Sequence, residues 1–223
     1  MRTRLSDDNV KKEQTTHIVI LRDRSGSMWE VKGDVDGALA AFLSEQKAVP
    51  GKATITLADF NSAYETVYSA ENIQDAEVSP LEPAGCTALL DAVGRGIRDT
   101  DSYLSGLGDS GKPDLVIVVI ITDGMENASR EYTRTGVKNL IEARTKESGW
   151  RFSFLAAGVD AFSEANSLGI SKGNTMQYKN DPDGVRQVYC CASQSITSLR
   201  TGAIGVKDDM FPDTDEYDEG GRS

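Results

Sequence analysis

The sequence predicts an α/β fold, a doubly wound and mostly parallel sheet with one antiparallel strand and helices on both faces. Short apolar runs of strand length alternate along the chain with segments of helical periodicity. One run, residues 115–121, is aliphatic throughout, as is typical of a strand covered on both faces. The 223 residues, 39% of them hydrophobic, are enough for one substantial core.

The first half of the chain supplies the predicted antiparallel strand. A β-branched run at 16–21 predicts a strand, and apolar residues at helical spacing predict a helix over 29–48. Two further strands follow at 53–60 and 64–68. Because only Asn61, Ser62 and Ala63 separate them, we expect a hairpin, which makes the second strand antiparallel to the rest.

The second half continues the alternation. In order, the patterns predict a helix from 89 to about 106, a strand at 115–121, a helix around 137–143, a strand at 152–157, a short helix at 162–168, an edge strand at 176–178 and a last helix at 185–199. Ligands in such sheets bind outside the carboxyl ends of the strands, where the strand order reverses. We therefore look for a site in the loops at that edge.

Charge and composition exclude several classes of function. The net charge of -11 disfavours nucleic-acid binding, and no apolar run is long enough to span a bilayer. Three cysteines without framework spacing favour a reducing compartment, so a cytoplasmic location is expected. Residues 1–14 are interpreted as a polar leader, 15–203 as the folded domain and 204–223 as an acidic, disordered tail.

Three loops carry the candidate site. Asp23, Ser25 and Ser27 stand at alternate positions directly after the first strand. Thr87 opens a helix in a Gly-Cys-Thr-Ala-Leu segment, and Asp123 follows the most hydrophobic strand in a Thr-Asp-Gly turn. Taken singly, each of these residues is explained equally well as a helix cap or a turn residue. Together they bring two carboxylates and three hydroxyls to one edge of the sheet.

This combination resembles the metal-ion-dependent adhesion site of the von Willebrand factor A family, in the compact single-domain form found in bacteria and phages. The family's motifs, D-x-S-x-S, a later G-x-T-x-L and a T-D-G turn, occur in order, and the resemblance covers about residues 15–200. It implies that Ser25, Ser27 and Thr87 contact a metal directly, while Asp23 and Asp123 hold its water molecules. It also implies a protein partner that supplies an Asp or Glu, in some relatives within a complex containing an AAA+ ATPase.

The donor set agrees with the resemblance. Hard oxygen ligands favour Mg²⁺ or Mn²⁺ over Ca²⁺, and zinc has no usable ligand set by residue type. We therefore expect a metal-dependent binding module and not an enzyme. The alternative is a metal-dependent phosphohydrolase of haloacid-dehalogenase-like fold, which also places Asp after the first strand. That chemistry needs a second Asp where this chain has Ser25.

Arg22 and Arg24 flank Asp23, where the family usually has a small or apolar residue before the aspartate. Two cations near the site would lower metal affinity or attract an acidic partner; alternatively, both side chains point to solvent.

Other chemically suggestive residues are given structural roles. His17 is interpreted as a packed strand residue, the Cys190-Cys191 pair as core or half-buried surface, and Gly94-Arg95-Gly96 as part of a helix and not a phosphate loop. Asp160 is explained equally well as a turn residue or as lining the crevice.

Overall fold

The structure, a computed structural model, describes residues 14–157 and 160–211. Its strands and helices alternate as the sequence predicts. In chain order they are β1 (Thr16–Asp23), α1 (Lys32–Ala48), β2 (Ala53–Phe60), β3 (Tyr64–Asn72), α2 (Leu89–Gly106), β4 (Leu115–Thr122), α3 (Arg134–Ser148), β5 (Arg151–Ala157), α4 (Ala161–Ser167), β6 (Thr175–Tyr178) and α5 (Pro182–Arg200). A 3-10 helix, Gly26–Val31, leads into α1.

The strands form one six-stranded sheet in the order β3-β2-β1-β4-β5-β6. Every neighbouring pair is parallel except β2 with β3. The chain moves outward from β1 on one side through β2 and β3, and on the other side from β4 through β5 and β6. The order therefore reverses between β1 and β4, and their adjacent carboxyl ends form the crevice where ligands of such sheets bind.

Helices cover both faces of the sheet, so that β1 and β4 are buried along their whole length. One core cluster joins the sheet to α1 and α5, and a second joins it to α2, α3 and α4. The predicted fold class, including the antiparallel strand, is confirmed. The two central strands place their terminal residues at a rigid edge.

The C-terminal residues that the structure describes pack on the domain. Met210 is 3% and Phe211 6% exposed, and both belong to the core cluster of α1 and α5. The Arg151 side chain donates to the carbonyl oxygens of Val206 and Asp208, and the Phe211 amide donates to Gly173 O at 2.8 Å. The boundary expected after residue 203 is therefore wrong up to Phe211, because two large apolar side chains anchor this acidic stretch.

The remaining acidic residues, 212–223, and the leader as far as residue 13 lie outside the described residues. Within the described ranges, no helix combines the length and the apolar character needed to cross a membrane.

Candidate metal centre

The loop after β1 folds around the carboxylate of Asp23. Asp23 is completely buried, and its two oxygens accept hydrogen bonds from the Ser25 amide at 2.7 Å and from Thr122 Oγ1 at 2.6 Å. Ser25 precedes the 3-10 helix but makes no capping hydrogen bond with its side chain. Its hydroxyl instead lies 3.1 Å from that of Ser27. The loop thus gathers its oxygens at one point, and the capping alternative does not describe Ser25.

Asp123, directly after β4, faces the same point. Its Oδ1 accepts a hydrogen bond from Ser27 Oγ at 2.7 Å and a longer one from Ser25 Oγ at 3.5 Å. Its Oδ2 accepts from Asn180 Nδ2 at 3.0 Å, in the loop between β6 and α5. The partners of Asp123 therefore come from two other loops, so its role extends beyond its own turn.

Thr87 completes the set. Its side chain is 3% exposed, and α2 begins after Ala88 without any side-chain cap, so Thr87 does not cap the helix. A methyl group built on Gly124 would come within 3.0 Å of Thr87 Oγ1, which places this hydroxyl against the residue after Asp123. The Thr87 amide donates a hydrogen bond to Asn127 Oδ1 at 2.9 Å, which holds the residue in place. The third hydroxyl therefore lies close to the turn that carries the second carboxylate.

Backbone hydrogen bonds join the first and second loops. Gly26 N donates to Gly85 O at 3.0 Å, and Ala84 N donates to Arg24 O at 2.8 Å. Gly85 has a φ of 74°, a backbone conformation that side-chain-bearing residues rarely adopt, and a Cβ there would lie 3.1 Å from Ser62 Oγ. Glycine at this position therefore permits the left-handed backbone and the close approach to Ser62 in the β2–β3 connection.

The electrostatics of the site favour a cation. Burial raises the pKa of Asp23 to about 6; the hydrogen bonds from Thr122 and Ser25 oppose this rise, and the nearby charge of Asp123 adds to it. Among the described residues, no Lys, Arg or His forms an ion pair with either carboxylate. A cation placed between the two would supply the missing charge.

The donor set suits hard oxygen-binding ions. The described ranges contain no group of three or more His, Cys, Asp or Glu side chains arranged to hold a metal ion. The five predicted residues offer two carboxylates and three hydroxyls instead, and hydroxyl oxygens combined with water fit the octahedral shell of Mg²⁺. By the chemistry of these side chains, the residues present fit such an ion.

The structure contradicts the alternative in which Arg22 points to solvent. Its side chain is fully buried and forms a bidentate ion pair with Asp59 on β2, with Nε 2.7 Å from Oδ1 and Nη2 2.8 Å from Oδ2. Burial acts to lower the pKa of Arg22, but the hydrogen bond and charge of Asp59 outweigh it, and the pKa is raised. Arg24 pairs with Glu65 at 2.9 Å. Both cations are therefore neutralised by β2 and β3 and are not directed at solvent.

The other suggestive residues have structural roles. Asp160 caps α4 by accepting a hydrogen bond from the Ser163 amide at 3.0 Å, as the turn-residue interpretation expects. Gly94 lies inside α2, where the Tyr132 ring leaves no room for a Cβ. His17 is packed as expected, with Nδ1 2.8 Å from Thr54 Oγ1. Cys191 is half-buried, whereas Cys190 lies on the exposed surface, contrary to expectation.

Sequence reasoning missed Asn180 and Asn127, and it quoted Thr122 only as part of the turn. Thr122 had a detectable signal, since it ends the same strand as the Asp123 turn. Asn180 gave none, because it is 57 residues from Asp123 along the chain and follows an edge strand. These residues orient the carboxylates and the threonine from outside the donor set.

No family model matches the sequence, and no curated protein matches it. Solved structures with the same architecture do exist. A von Willebrand factor type A protein from Catenulispora acidiphila has a TM-score of 0.58 at 16% identity, over 85% of this chain and 43% of that one. The vWF domain of the type V pili tip protein Mfa5 from Porphyromonas gingivalis has a TM-score of 0.59 at 10% identity, over 82% and 95%.

A third neighbour is proximal thread matrix protein 1 from the mussel byssus, described with a zinc-occupied MIDAS motif. Its TM-score is 0.57 at 13% identity, over 83% of this chain and 46% of that chain. This chain spans less than half the length of the first structures it matches. At these identities the likeness establishes architecture, and the expected resemblance is confirmed at that level. The chain has the fold of the von Willebrand factor A domains.

Proposed function

We propose that this domain binds one divalent cation, Mg²⁺ or Mn²⁺, at the carboxyl ends of β1 and β4, and uses it to bind an Asp or Glu of a partner protein. One observation carries the proposal: Asp23 is fully buried beside Asp123, and among the described residues neither carboxylate has a cationic partner. The described residues therefore leave the charge of this edge unbalanced, which supports an external cation at this position.

The proposed roles of the five residues follow from the chemistry of their side chains. Ser25, Ser27 and Thr87 offer neutral hydroxyl oxygens for direct contact, and Asp23 and Asp123 hold water molecules or balance charge. When bound, the ion would supply an electrophilic position that accepts an outside carboxylate. Because three of the five donors are neutral, the site retains more attraction for an anion than a cage of carboxylates would.

The proposal includes binding without turnover. The only histidine, His17, lies at the amino end of β1 and is packed against threonines, so no imidazole base accompanies Ser25 or Ser27. We expect no release of phosphate from generic phosphomonoesters. Metal-dependent hydrolysis that Asp23→Asn abolishes would contradict this and favour the phosphohydrolase alternative.

The identity of the ion is tested by calorimetry on the full chain. We expect one saturable Mg²⁺ or Mn²⁺ site, and we expect Asp123→Ala to weaken it by about 10- to 100-fold. Asp160→Ala is the matched control, because Asp160 caps α4 and is not one of the five proposed metal-site residues. Zn²⁺ belongs in the series, since the mussel protein carries zinc in this motif. Equal Mg²⁺ affinity in both variants would overturn the proposed site.

The partner is proposed from the resemblance alone: a cytoplasmic protein complex, in which an AAA+ ATPase is one candidate member. Capture from the native host with Mg²⁺ and with EDTA, followed by mass spectrometry, would identify it. A partner retained equally in EDTA would argue against metal-dependent recognition.

A further inference from the structure

Two large apolar side chains stand exposed beside the candidate metal centre. Trp29 is 66% and Met125 63% exposed. Trp29 follows Ser27 by two residues, and Met125 follows Asp123 by two, while Ser27 Oγ and Asp123 Oδ1 are hydrogen-bonded at 2.7 Å. The other exposed large hydrophobic residues in the described ranges, Val78 and Val206, are smaller and only 37% and 42% exposed. The most exposed apolar surface therefore flanks one hydrogen bond of the site.

The fold holds Trp29 outward. In the 3-10 helix Gly26–Val31, Met28 is fully buried and Val31 is 2% exposed, so the core fixes the helix from one side. Trp29 lies next to Met28 and faces away from that core. The Lys32 ammonium lies 5.8 Å from the centroid of its ring, and Lys32 in turn pairs with Glu82 at 3.0 Å. Trp29 thus presents an indole surface from a well-anchored turn.

Met125 is held in a comparable way. The next residue, Glu126, accepts hydrogen bonds from the amides of Leu90, Ala128 and Ser129, at 2.9, 2.9 and 2.7 Å. This carboxylate ties the segment after β4 to the start of α2. Met125 lies between the fixed Glu126 and Asp123, with its side chain exposed. The backbone that carries both apolar groups is therefore already ordered in the folded protein. Binding a partner does not require a further loss of backbone entropy there.

We propose that Trp29 and Met125 form an apolar rim around the metal centre, which selects partner segments whose metal-binding Asp or Glu has a large apolar neighbour in the chain. The proposal rests on the function proposed above. Tryptophan and methionine are enriched at protein interfaces, and exposed tryptophan is a frequent hot spot. A carboxylate at a bound cation brings its neighbouring side chains to the rim, so the two contacts reinforce each other.

The negative charge of the protein favours a protein segment over a lipid surface as the occupant of this rim. Trp29 has exposed acidic neighbours in Glu30 and Glu82, and the chain carries a net charge of -11. Anionic membranes attract basic segments and repel such a surface. A protein segment with a carboxylate for the cation and an apolar side chain for the rim satisfies both features of the surface.

The test is an NMR titration of the full ¹⁵N-labelled chain in saturating Mg²⁺. The probes are three acetylated and amidated peptides, Gly-Asp-Leu-Gly, Gly-Asp-Gly-Gly and Gly-Asn-Leu-Gly. Burying one leucine side chain predicts about tenfold tighter binding of the first peptide than of the second. The Trp29 indole resonance should shift with the first peptide, and the asparagine peptide should bind weakly with or without Mg²⁺.

Trp29→Ser and Met125→Ser should each remove most of the leucine preference while leaving Mg²⁺ affinity and the Kd of Gly-Asp-Gly-Gly unchanged. Val206→Ser, which alters an exposed apolar residue far along the chain from either loop, is the matched control and should retain the preference.

The outcomes separate this inference from the proposed function. Metal-dependent binding of both aspartate peptides with equal affinity would overturn the rim alone, and no metal-dependent binding of either would overturn the proposed function as well. Equal binding of the asparagine peptide would show an apolar patch that acts without the metal. Mg²⁺-dependent self-association that Trp29→Ser abolishes would assign the rim to a second copy of the chain and overturn the proposed occupant.

Discussion

Arg22 and Asp23 are neighbours on β1, both fully buried, yet the protein treats their charges differently. Arg22 meets Asp59 at 2.7 Å and has Asp36 at 3.7 Å, so its charge is matched by the chain itself. Asp23 meets an amide and a threonine hydroxyl, with a second carboxylate nearby. The charge of Arg22 is thus matched within the fold, whereas no described residue balances the charge of Asp23, as the proposed metal site requires.

The largest change in the free energy of unfolding is expected when the ion pair between Arg22 and Asp59 is broken. Arg22→Met should lower the free energy of unfolding by about 3–5 kcal/mol, because it leaves the Asp59 carboxylate buried without its cation. Urea denaturation measures the change. The double variant Arg22→Met/Asp59→Leu should recover much of the loss, since both charges are removed. If the double variant were as unstable as the single one, packing and not charge matching would explain the site.

His17, at the other end of β1, sharpens the comparison because it is buried without any charge. Burial lowers its pKa from 6.5 to about 4. The unfolded chain therefore binds a proton at a higher pH than the folded chain does. The stability that neutral His17 contributes is fully present above pH 6.5 and is lost as the pH falls toward 4. The loss amounts to about 3 kcal/mol.

The measurement is the free energy of unfolding of the parent and of His17→Gln at pH 7 and pH 4.5. The difference between the two proteins isolates His17 from Asp23, whose raised pKa has the opposite effect on stability. We expect the parent to lose more stability than His17→Gln on acidification. Parallel pH profiles would show that His17 does not stay neutral in the fold.

The smallest effect on stability, and the opposite in sign, is expected at Asp23. Asp23→Asn keeps the shape and removes the unmatched charge, so the metal-free protein should gain about 1–2 kcal/mol at pH 7.5. The same variant should bind Mg²⁺ more weakly. Chemical denaturation in EDTA measures the first effect and calorimetry the second. A variant that is less stable in EDTA would show that the carboxylate, and not an added cation, satisfies this position.

The fold followed from sequence because its signals are local. The aliphatic run of β4 and the helical spacing of α1 are set by residues close together in the chain. Strand ends were less predictable: β3 was expected to end at residue 68 but continues to Asn72. Its pairing with β2 is irregular, and Ala70 has a φ of 50°, so the usual alternation is interrupted.

The sequence predicted site residues only where a chemically suitable side chain stands at the end of a predicted strand or the start of a predicted helix. Asp23 ends β1 and Asp123 follows β4, and these two strands pair in the sheet, so their meeting could be expected from the fold class. The partner of Arg22 could not, because its contact with Asp59 depends on the register of β1 against β2, in which these two residues face each other. Asn180 likewise reaches Asp123 only through the position of an edge strand.

Manganese-induced broadening in a ¹H–¹⁵N NMR spectrum tests the central claim most directly, since the paramagnetic ion reveals its own position. With substoichiometric Mn²⁺, the account predicts that the amides of Ser25, Ser27, Thr87 and Gly124 broaden first and that excess Mg²⁺ restores them. The Asp23→Asn/Asp123→Asn double variant should show no such selective loss. Broadening that begins at another acidic segment, such as Asp208–Asp209, while the amides of Ser25 and Thr87 stay sharp, would contradict the assignment of the metal centre.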